Sequence, residues 1–191
     1  MELNICHLYP DILNLYGDRG NIITMKRRLE SRGITVNIDE CSIGEALDAA
    51  KYDIFFIGGG QDFEQEVLLR DLASGKAQEI RNAVEDEKTF LAICGGYQMM
   101  GRTVSDPDNT EGGGSLRGMN LLPIDTVFRP SKTTTQTRGA LLEIDGVLSD
   151  LSGLAVEGYE IHMGETMRDA SAKPLVRLLR REGEIEDGCQ T

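Results

Sequence analysis

The 191-residue sequence lacks several features that would assign it to whole classes of protein. No apolar run approaches the roughly 18 residues that a membrane span requires, and no positively charged, apolar leader opens the chain. Basic residues form only short runs, such as residues 26–28, and the formal net charge is −12. Because phosphate binding requires a basic face, we expect no nucleic-acid partner, and we expect no insertion into a membrane.

Cysteine and histidine are also scarce. The four cysteines lie far apart in the sequence: Cys6, Cys41, Cys94 and Cys189. This is neither a metal-ligand spacing nor a disulfide framework, so we expect no metal site and a reducing, cytoplasmic location. The two histidines, His7 and His162, leave few options for a cysteine–histidine mechanism within these residues. His7 falls in a strand, where a core or edge role is the simpler interpretation.

The first hundred residues alternate apolar runs with helical patterns. Strands are predicted at residues 3–8, 34–38, 53–57 and 90–93, and helices at 21–32, 43–50, 64–72 and 77–84. This alternation predicts an α/β fold with a parallel, doubly wound sheet. Right-handed crossovers would place the turns that follow the third and fourth strands side by side, at the carboxyl edge of the sheet.

The second half of the chain has a different character. A polar, glycine-rich loop is predicted at residues 106–114, followed by short strands at 121–128, 139–144, 155–161 and 175–179. We expect these to add antiparallel strands beside the parallel core. The acidic run at residues 182–187 is predicted to be an exposed turn. Without a repeat or a composition break, the sequence predicts one domain over residues 1–191.

The most informative motif is an apolar run that ends at Cys94 and is followed by Gly95, Gly96 and a helix-compatible segment. This order predicts a strand, a sharp turn and a helix, with the thiol at the apex. Such an elbow holds a nucleophile clear of the sheet, and the next backbone N–H can face a developing oxyanion. The alternative is a buried, inert cysteine, but that role does not require two glycines.

A second glycine turn follows the third predicted strand, at residues 58–62. It could supply an oxyanion donor or a substrate clamp opposite Cys94, since glycine lets a ligand approach the main chain. A phosphate cradle is a second possibility, although both the Gly-x-Gly-x-x-Gly spacing and the P-loop lysine are missing. The third is a simple strand-to-helix turn.

Two polar segments of the second half are further candidates. His162 lies at a strand end flanked by glycines and could line a pocket. Lys132, Gln136 and Arg138 form a polar strand that could hold a carboxylate, as arginine does with two parallel hydrogen bonds. The alternative for this strand is an exposed, solvated edge.

Three motifs together resemble the class I glutamine amidotransferases of the cobyric acid synthase type: Ile-Cys-Gly-Gly-Tyr-Gln-Met at residues 93–99, Asp-Pro at 106–107 and Gly-Tyr-Glu-Ile-His-Met-Gly at 158–164. Residues 8–21 and 56–65 are similar to the glutaminase subunits of lipid II isoglutaminyl synthases. The resemblance implies a three-layer, flavodoxin-like fold in which Cys94 attacks the side-chain amide of L-glutamine and releases ammonia through a thioester. It also implies an oxyanion hole made by Gly95 with Gly59 or Gly60.

The resemblance further implies a partner. Ammonia would pass to a Mur-ligase-like subunit that holds ATP and magnesium and amidates the D-glutamate of lipid II, so that this chain needs no cofactor itself. Two alternatives are amidation of cobyrinate or cobyric acid, and a glutaminase-like binding or regulatory module without turnover.

The sequence departs from the family pattern at three places. Ala92 stands where many relatives have glycine, which another small residue can replace. The substrate-binding arginine of the family aligns with Gln136, with Arg138 two residues away, so both are candidates together with His162. The family histidine lies in a Tyr-Leu-His-Gly segment that would follow Cys189, and these 191 residues do not contain that segment. We therefore expect the domain to be truncated at its carboxyl end.

Overall fold

The computed structural model of the chain describes residues 1–14, 17–60, 62–110, 112–180 and 183–190. The N-terminal half forms a parallel sheet in the order β2-β1-β3-β4. Its strands are β1 (Glu2–Leu8), β2 (Thr35–Cys41), β3 (Ile54–Ile57) and β4 (Thr89–Ala92). Ile57 pairs with Leu8 on one side and Ala92 on the other, so these three strands end at one edge. This is the parallel sheet that the sequence predicts.

Helices cover both faces of this sheet. They are α1 (Asp18–Glu30), α2 (Asp62–Asp71), α3 (Ala77–Glu85) and α4 (Gly95–Met100). On one face, Ile22 of α1 packs with Phe56 and Val36, and on the other face Leu68, Ile80 and Met99 share a core cluster with Ile57. Burial of these apolar side chains on both faces stabilises the three layers. The three-layer α/β prediction is confirmed.

The second half adds a six-stranded sheet. Its strands are β5 (Thr103–Asp106), β6 (Gly114–Arg117), β7 (Ile124–Leu141), β8 (Ala155–Arg168), β9 (Val176–Arg180) and β10 (Gly183–Asp187). The order is β10-β9-β7-β5-β6, and β8 pairs with β7 as a long antiparallel partner. The β5–β7 pair is parallel and the remaining pairs are antiparallel. The expected antiparallel addition is therefore present.

The predicted helix at residues 43–50 is wrong. Only a 3₁₀ turn, Ala49–Lys51, forms there. Gly44 takes a left-handed φ of 77°, and the Glu45 carboxylate accepts the N–H of Ser42 at 2.7 Å. Because the main chain is bonded to side chains at this point, a helical ladder does not start.

The prediction of an exposed turn at residues 182–187 is also wrong for the part that is described. Residues 183–187 form β10, and residue 182 lies outside the described residues. Ile185 pairs with Leu178 of β9, and the Glu186 carboxylate lies 3.5 Å from the Arg177 guanidinium. Cross-strand apolar and opposite-charge pairs of this kind stabilise an antiparallel ladder.

The strand boundaries of the second half differ from the predicted ones. The predicted strands at 121–128 and 139–144 are the two ends of one 18-residue strand, β7, which has a register shift between Phe128 and Thr133. The glycine-rich loop is bounded by two unpredicted strands, β5 and β6. Asp106 closes this loop, because its carboxylate accepts the N–H groups of Thr110 and Gly113.

Candidate active site

Cys94 lies between β4 and α4 in an unusual backbone conformation. Its φ is 54° and its ψ is −119°, a region that residues with a side chain rarely occupy. The strand side is fixed because the Ile93 N–H donates to the carbonyl of Ile57 at 3.0 Å, and the helix side because the Gln98 N–H donates to the carbonyl of Cys94 at 3.0 Å. The strand, turn and helix predicted around Cys94 are present.

The glycine turn after β3 packs directly against this elbow. The Gly96 N–H donates to the carbonyl of Gly58 at 2.9 Å. A Cβ atom on Gly96 would lie 2.7 Å from that carbonyl oxygen, so the two turns can approach this closely only because residue 96 is glycine. The predicted juxtaposition of the two turns at the carboxyl edge is thus observed. Gln61 of the glycine motif lies outside the described residues.

Three backbone N–H groups at this edge are candidates for binding an anion. They belong to Gly59, Gly60 and Gly95, and within the described residues none of them donates a hydrogen bond. Gly95 is the first residue of α4, where N–H groups have no partner inside the helix. Gly59 is buried and Gly60 is half-buried, so water competes little for their donors.

Sequence reasoning missed Asp18, the first residue of α1. Its side chain is buried, and within the described part of the chain its Oδ2 has no hydrogen-bond partner. A Cβ atom on Gly58 would lie 2.5 Å from the Asp18 Cγ, so the carboxyl group stands directly against the glycine turn. Local patterns give no signal for this contact, because the loop after β1 brings Asp18 back over the end of β3.

Gln98 is a second missed residue, and its spacing could have identified it. It follows Cys94 by four residues, and its backbone N–H bonds to the Cys94 carbonyl. Its side chain is only 8% exposed. The Gln98 Nε2 lies 2.7 Å from the position that a Cβ on Gly164 would take, so β8 of the second sheet packs against α4 here.

The three substrate-binding candidates lie on the β7–β8 hairpin. Gln136 and Arg138 donate to the carboxylate of Glu157, at 3.4 Å and 3.1 Å. The hydrogen bonds described for these two side chains do not join them to the Cys94 turn, and Lys132 is exposed. Their assignment to substrate binding stays a prediction.

His162 is bonded within its own strand. Its Nδ1 lies 2.7 Å from the Gly164 carbonyl and its Nε2 lies 2.7 Å from the Glu160 carboxylate. The Glu160 carboxylate also accepts from Arg180. Both ring nitrogens therefore have partners within the second sheet rather than at Cys94. His7 lies on the α1 side of the sheet, edge-on to Phe56.

Two negative findings concern only the part of the chain that is described. No group of three or more His, Cys, Asp or Glu side chains is arranged to hold a metal ion. No helix there is long and apolar enough to cross a membrane.

Several known proteins are similar to this chain in sequence. The chain is 40% identical over 168 residues to the lipid II isoglutaminyl synthase (glutamine-hydrolyzing) subunit GatD of Staphylococcus aureus strain N315, covering 88% of this chain and 63% of that protein. It is 47% identical over 131 residues to the cobyric acid synthase of Lachnoclostridium phytofermentans, covering 68% of this chain and 25% of that protein. The chain therefore spans less than two thirds of either relative.

A solved structure has the same fold. PurLQS from Thermotoga maritima superposes with a TM-score of 0.62 at 17% identity, over 94% of this chain and 76% of that one. Residues 4–191 match the family of CobB/CobQ-like glutamine amidotransferase domains. With nearly the whole chain matched, and with a cysteine elbow packed against a glycine turn, the chain belongs to the CobB/CobQ-like glutamine amidotransferase family.

Proposed function

We propose that this chain is the glutamine-hydrolysing part of an amidotransferase, with Cys94 as the nucleophile. One observation carries the proposal: Cys94 is held at a φ of 54° between β4 and α4, against the glycine turn of β3. A strained nucleophile turn of this kind persists only when the surrounding structure fixes it, and such strain concentrates at functional sites. The 40% identity to a glutamine-hydrolyzing subunit supports the same reaction.

In the proposed reaction, the Cys94 sulfur attacks the side-chain amide carbon of glutamine. The N–H of Gly95, with that of Gly59 or Gly60, stabilises the negative charge that develops on the amide oxygen. The carbon–nitrogen bond breaks, ammonia leaves, and a glutamyl thioester remains on Cys94. Water then hydrolyses the thioester, so that glutamine and water yield glutamate and ammonia.

The thiol proton needs a base. His162 is occupied by Glu160 and Gly164, and His7 lies on the α1 face of the sheet. The family resemblance assigns the base to a histidine in a Tyr-Leu-His-Gly segment, which these 191 residues do not contain. We propose that such a histidine, rather than His7 or His162, acts as the base for Cys94.

For the acceptor, we propose the D-glutamate of lipid II, on a Mur-ligase-like partner that holds ATP and magnesium in the cytoplasm. The support is the staphylococcal relative, which is 40% identical to this chain and is named as a subunit of lipid II isoglutaminyl synthase. Amidation of cobyrinate or cobyric acid is the second candidate, because the family and the 47% identical relative favour it. Mixing the protein with each partner and acceptor separates the two, since only one acceptor should gain an amide.

The hydrolysis itself is tested by replacing the nucleophile. We expect the full protein with its partner to release ammonia from glutamine, and Cys94→Ala to abolish this while melting at nearly the same temperature. Cys189→Ala is the matched control, since it also removes a half-buried thiol and should keep full activity. Unchanged ammonia release from Cys94→Ala would exclude this mechanism, and release from the 191-residue chain alone would mean that no outside histidine is needed.

A further inference from the structure

A charged network centred on a buried carboxylate lies on the second sheet, on β8 and its neighbour β9, and β8 is the strand that packs against α4. Glu160 of β8 is only 7% exposed. The Arg180 guanidinium of β9 reaches both oxygens of its carboxylate, with its Nε 3.1 Å from Oε2 and an Nη bonded to Oε1. Two parallel hydrogen bonds from one arginine to a carboxylate fix direction as well as charge.

His162 extends this network toward the site. Its Nε2 lies 2.7 Å from the Glu160 carboxylate and its Nδ1 lies 2.7 Å from the Gly164 carbonyl oxygen. The imidazole therefore connects the Glu160 carboxylate to the main-chain carbonyl of Gly164, two residues further along β8 than His162. Arg180, Glu160 and His162 thus add a side-chain restraint to the Gly164 carbonyl, beside the pairing of Gly164 with Phe128 of β7.

Gly164 in turn has no free space around it. A Cβ there would lie 2.7 Å from the Gln98 Nε2 and 2.9 Å from the Thr126 Cγ2. Gln98 lies one helical turn beyond Cys94, and its backbone N–H bonds to the Cys94 carbonyl. The network thus ends at a wall, formed by Gly164 and the buried Gln98 amide, beside the nucleophile.

The Cys94 turn itself is held by other bonds. Gly96 donates to Gly58, and Ile93 donates to Ile57, and both acceptors belong to the parallel sheet or the turn after it. Loss of the network should therefore move the Gly164–Gln98 wall without releasing the nucleophile. A shift of the wall changes how substrate is held more than how the thiol attacks.

From this geometry we propose that Glu160 and Arg180 are positioning residues of the glutamine site, which act through His162 to fix the Gly164–Gln98 wall. Neither side chain is assigned a part in the chemistry. The inference rests on the proposed glutaminase function and adds the residues that set its affinity for substrate.

The test compares steady-state kinetics of Glu160→Gln and Arg180→Gln with the parent, in the full protein with its partner. We expect the KM for glutamine to rise about tenfold, because the displaced wall weakens hydrogen bonding to substrate, while kcat changes less than about threefold. In both variants, iodoacetamide should alkylate Cys94 at the same rate as in the parent. This rate is measured by mass spectrometry of the peptide that contains Cys94. Arg180→Lys retains the charge without the paired geometry and should give an intermediate KM.

Arg177→Gln is the matched control. Arg177 lies on the same strand as Arg180, but its ion pairs with Glu184 and Glu186, at 3.8 Å and 3.5 Å, are exposed. Because exposed ion pairs contribute little, the KM of the Arg177→Gln variant should equal that of the parent. If KM is the same in all variants of an active enzyme, or if kcat falls while KM stays, the positioning role is wrong. If Glu160→Gln does not fold, Arg180→Gln and Arg180→Lys decide the question. A parent protein without glutaminase activity would instead refute the proposed function.

Discussion

Replacement of Gly96 by alanine measures how closely the Cys94 elbow and the glycine turn are packed. The new Cβ would lie 2.7 Å from the Gly58 carbonyl oxygen and 2.9 Å from the Ile57 carbonyl oxygen and Cγ2. Two of these atoms are main chain at the end of a central strand, so they cannot move as a flexible side chain would. Overpacking of this kind costs about 1–3 kcal/mol. For a domain of this size that corresponds to a melting temperature lower by about 2–12 °C.

The same substitution should reduce catalysis. Moving α4 away from the β3 turn separates the Gly95 N–H from those of Gly59 and Gly60, and loss of one oxyanion donor costs about 100- to 1,000-fold in kcat. We therefore expect glutaminase kcat to fall by at least about tenfold, measured as ammonia release at saturating glutamine.

Gly20→Ala is the matched control for this experiment. A Cβ on Gly20 would meet no atom within 4 Å, and the residue lies within α1. Alanine in a helix interior is favoured over glycine by about 0.5–1 kcal/mol, so this variant should melt at or above the parent temperature with full activity. A Gly96→Ala protein that melts and turns over like Gly20→Ala would refute the close packing of the two turns.

Two further predictions concern buried charged or titratable groups away from the elbow. Lys76→Met should cost about 3–5 kcal/mol in urea denaturation at pH 7, because it leaves the Asp71 carboxylate buried without the ammonium that lies 2.6 Å away. The Lys76→Met/Asp71→Asn double variant should recover part of that loss. Burial lowers the pKa of His7 below its ordinary 6.5, so the unfolded chain binds more protons below that pH. Stability should thus fall as pH drops below 6.5, by at most about 1.4 kcal/mol per pH unit, and His7→Gln should remove this slope between pH 7.5 and 5.5; equal slopes would contradict it.

The sequence predicted the parallel sheet because its strands are short apolar runs that end in turn residues. The run that ends at Cys94 and the run that ends at Gly58 are both of this type, and parallel pairing alone brings their ends together. The helix predicted at residues 43–50 is opposed by long-range bonds as well as by the local Ser42–Glu45 contact. The Ala49 N–H bonds to Glu79 of α3 at 3.1 Å, and its carbonyl accepts Lys88 at 2.6 Å. These long-range bonds replace the helical ones that the segment's composition favours.

The candidate site could also be predicted only in part from the sequence. Cys94 and the glycines could be found because a nucleophile turn needs small residues at fixed positions in the sequence. Asp18 could not be found, because its burial depends on a loop returning over β3. The network of Glu160, His162 and Arg180 was visible only in part, since Arg180 lies on another strand, 20 residues from Glu160 in sequence.

In this chain, both sheets contact the elements that form the Cys94 elbow. A residue with a side chain at a φ of 54° costs of order 1–3 kcal/mol. The parallel sheet fixes one side of the turn through Gly58 and Ile57, while the second sheet reaches the other side through Gly164 and Gln98. The strain is therefore sustained by contacts far apart in sequence. It follows that changes in the second sheet should alter substrate affinity at Cys94 before they alter the nucleophile itself.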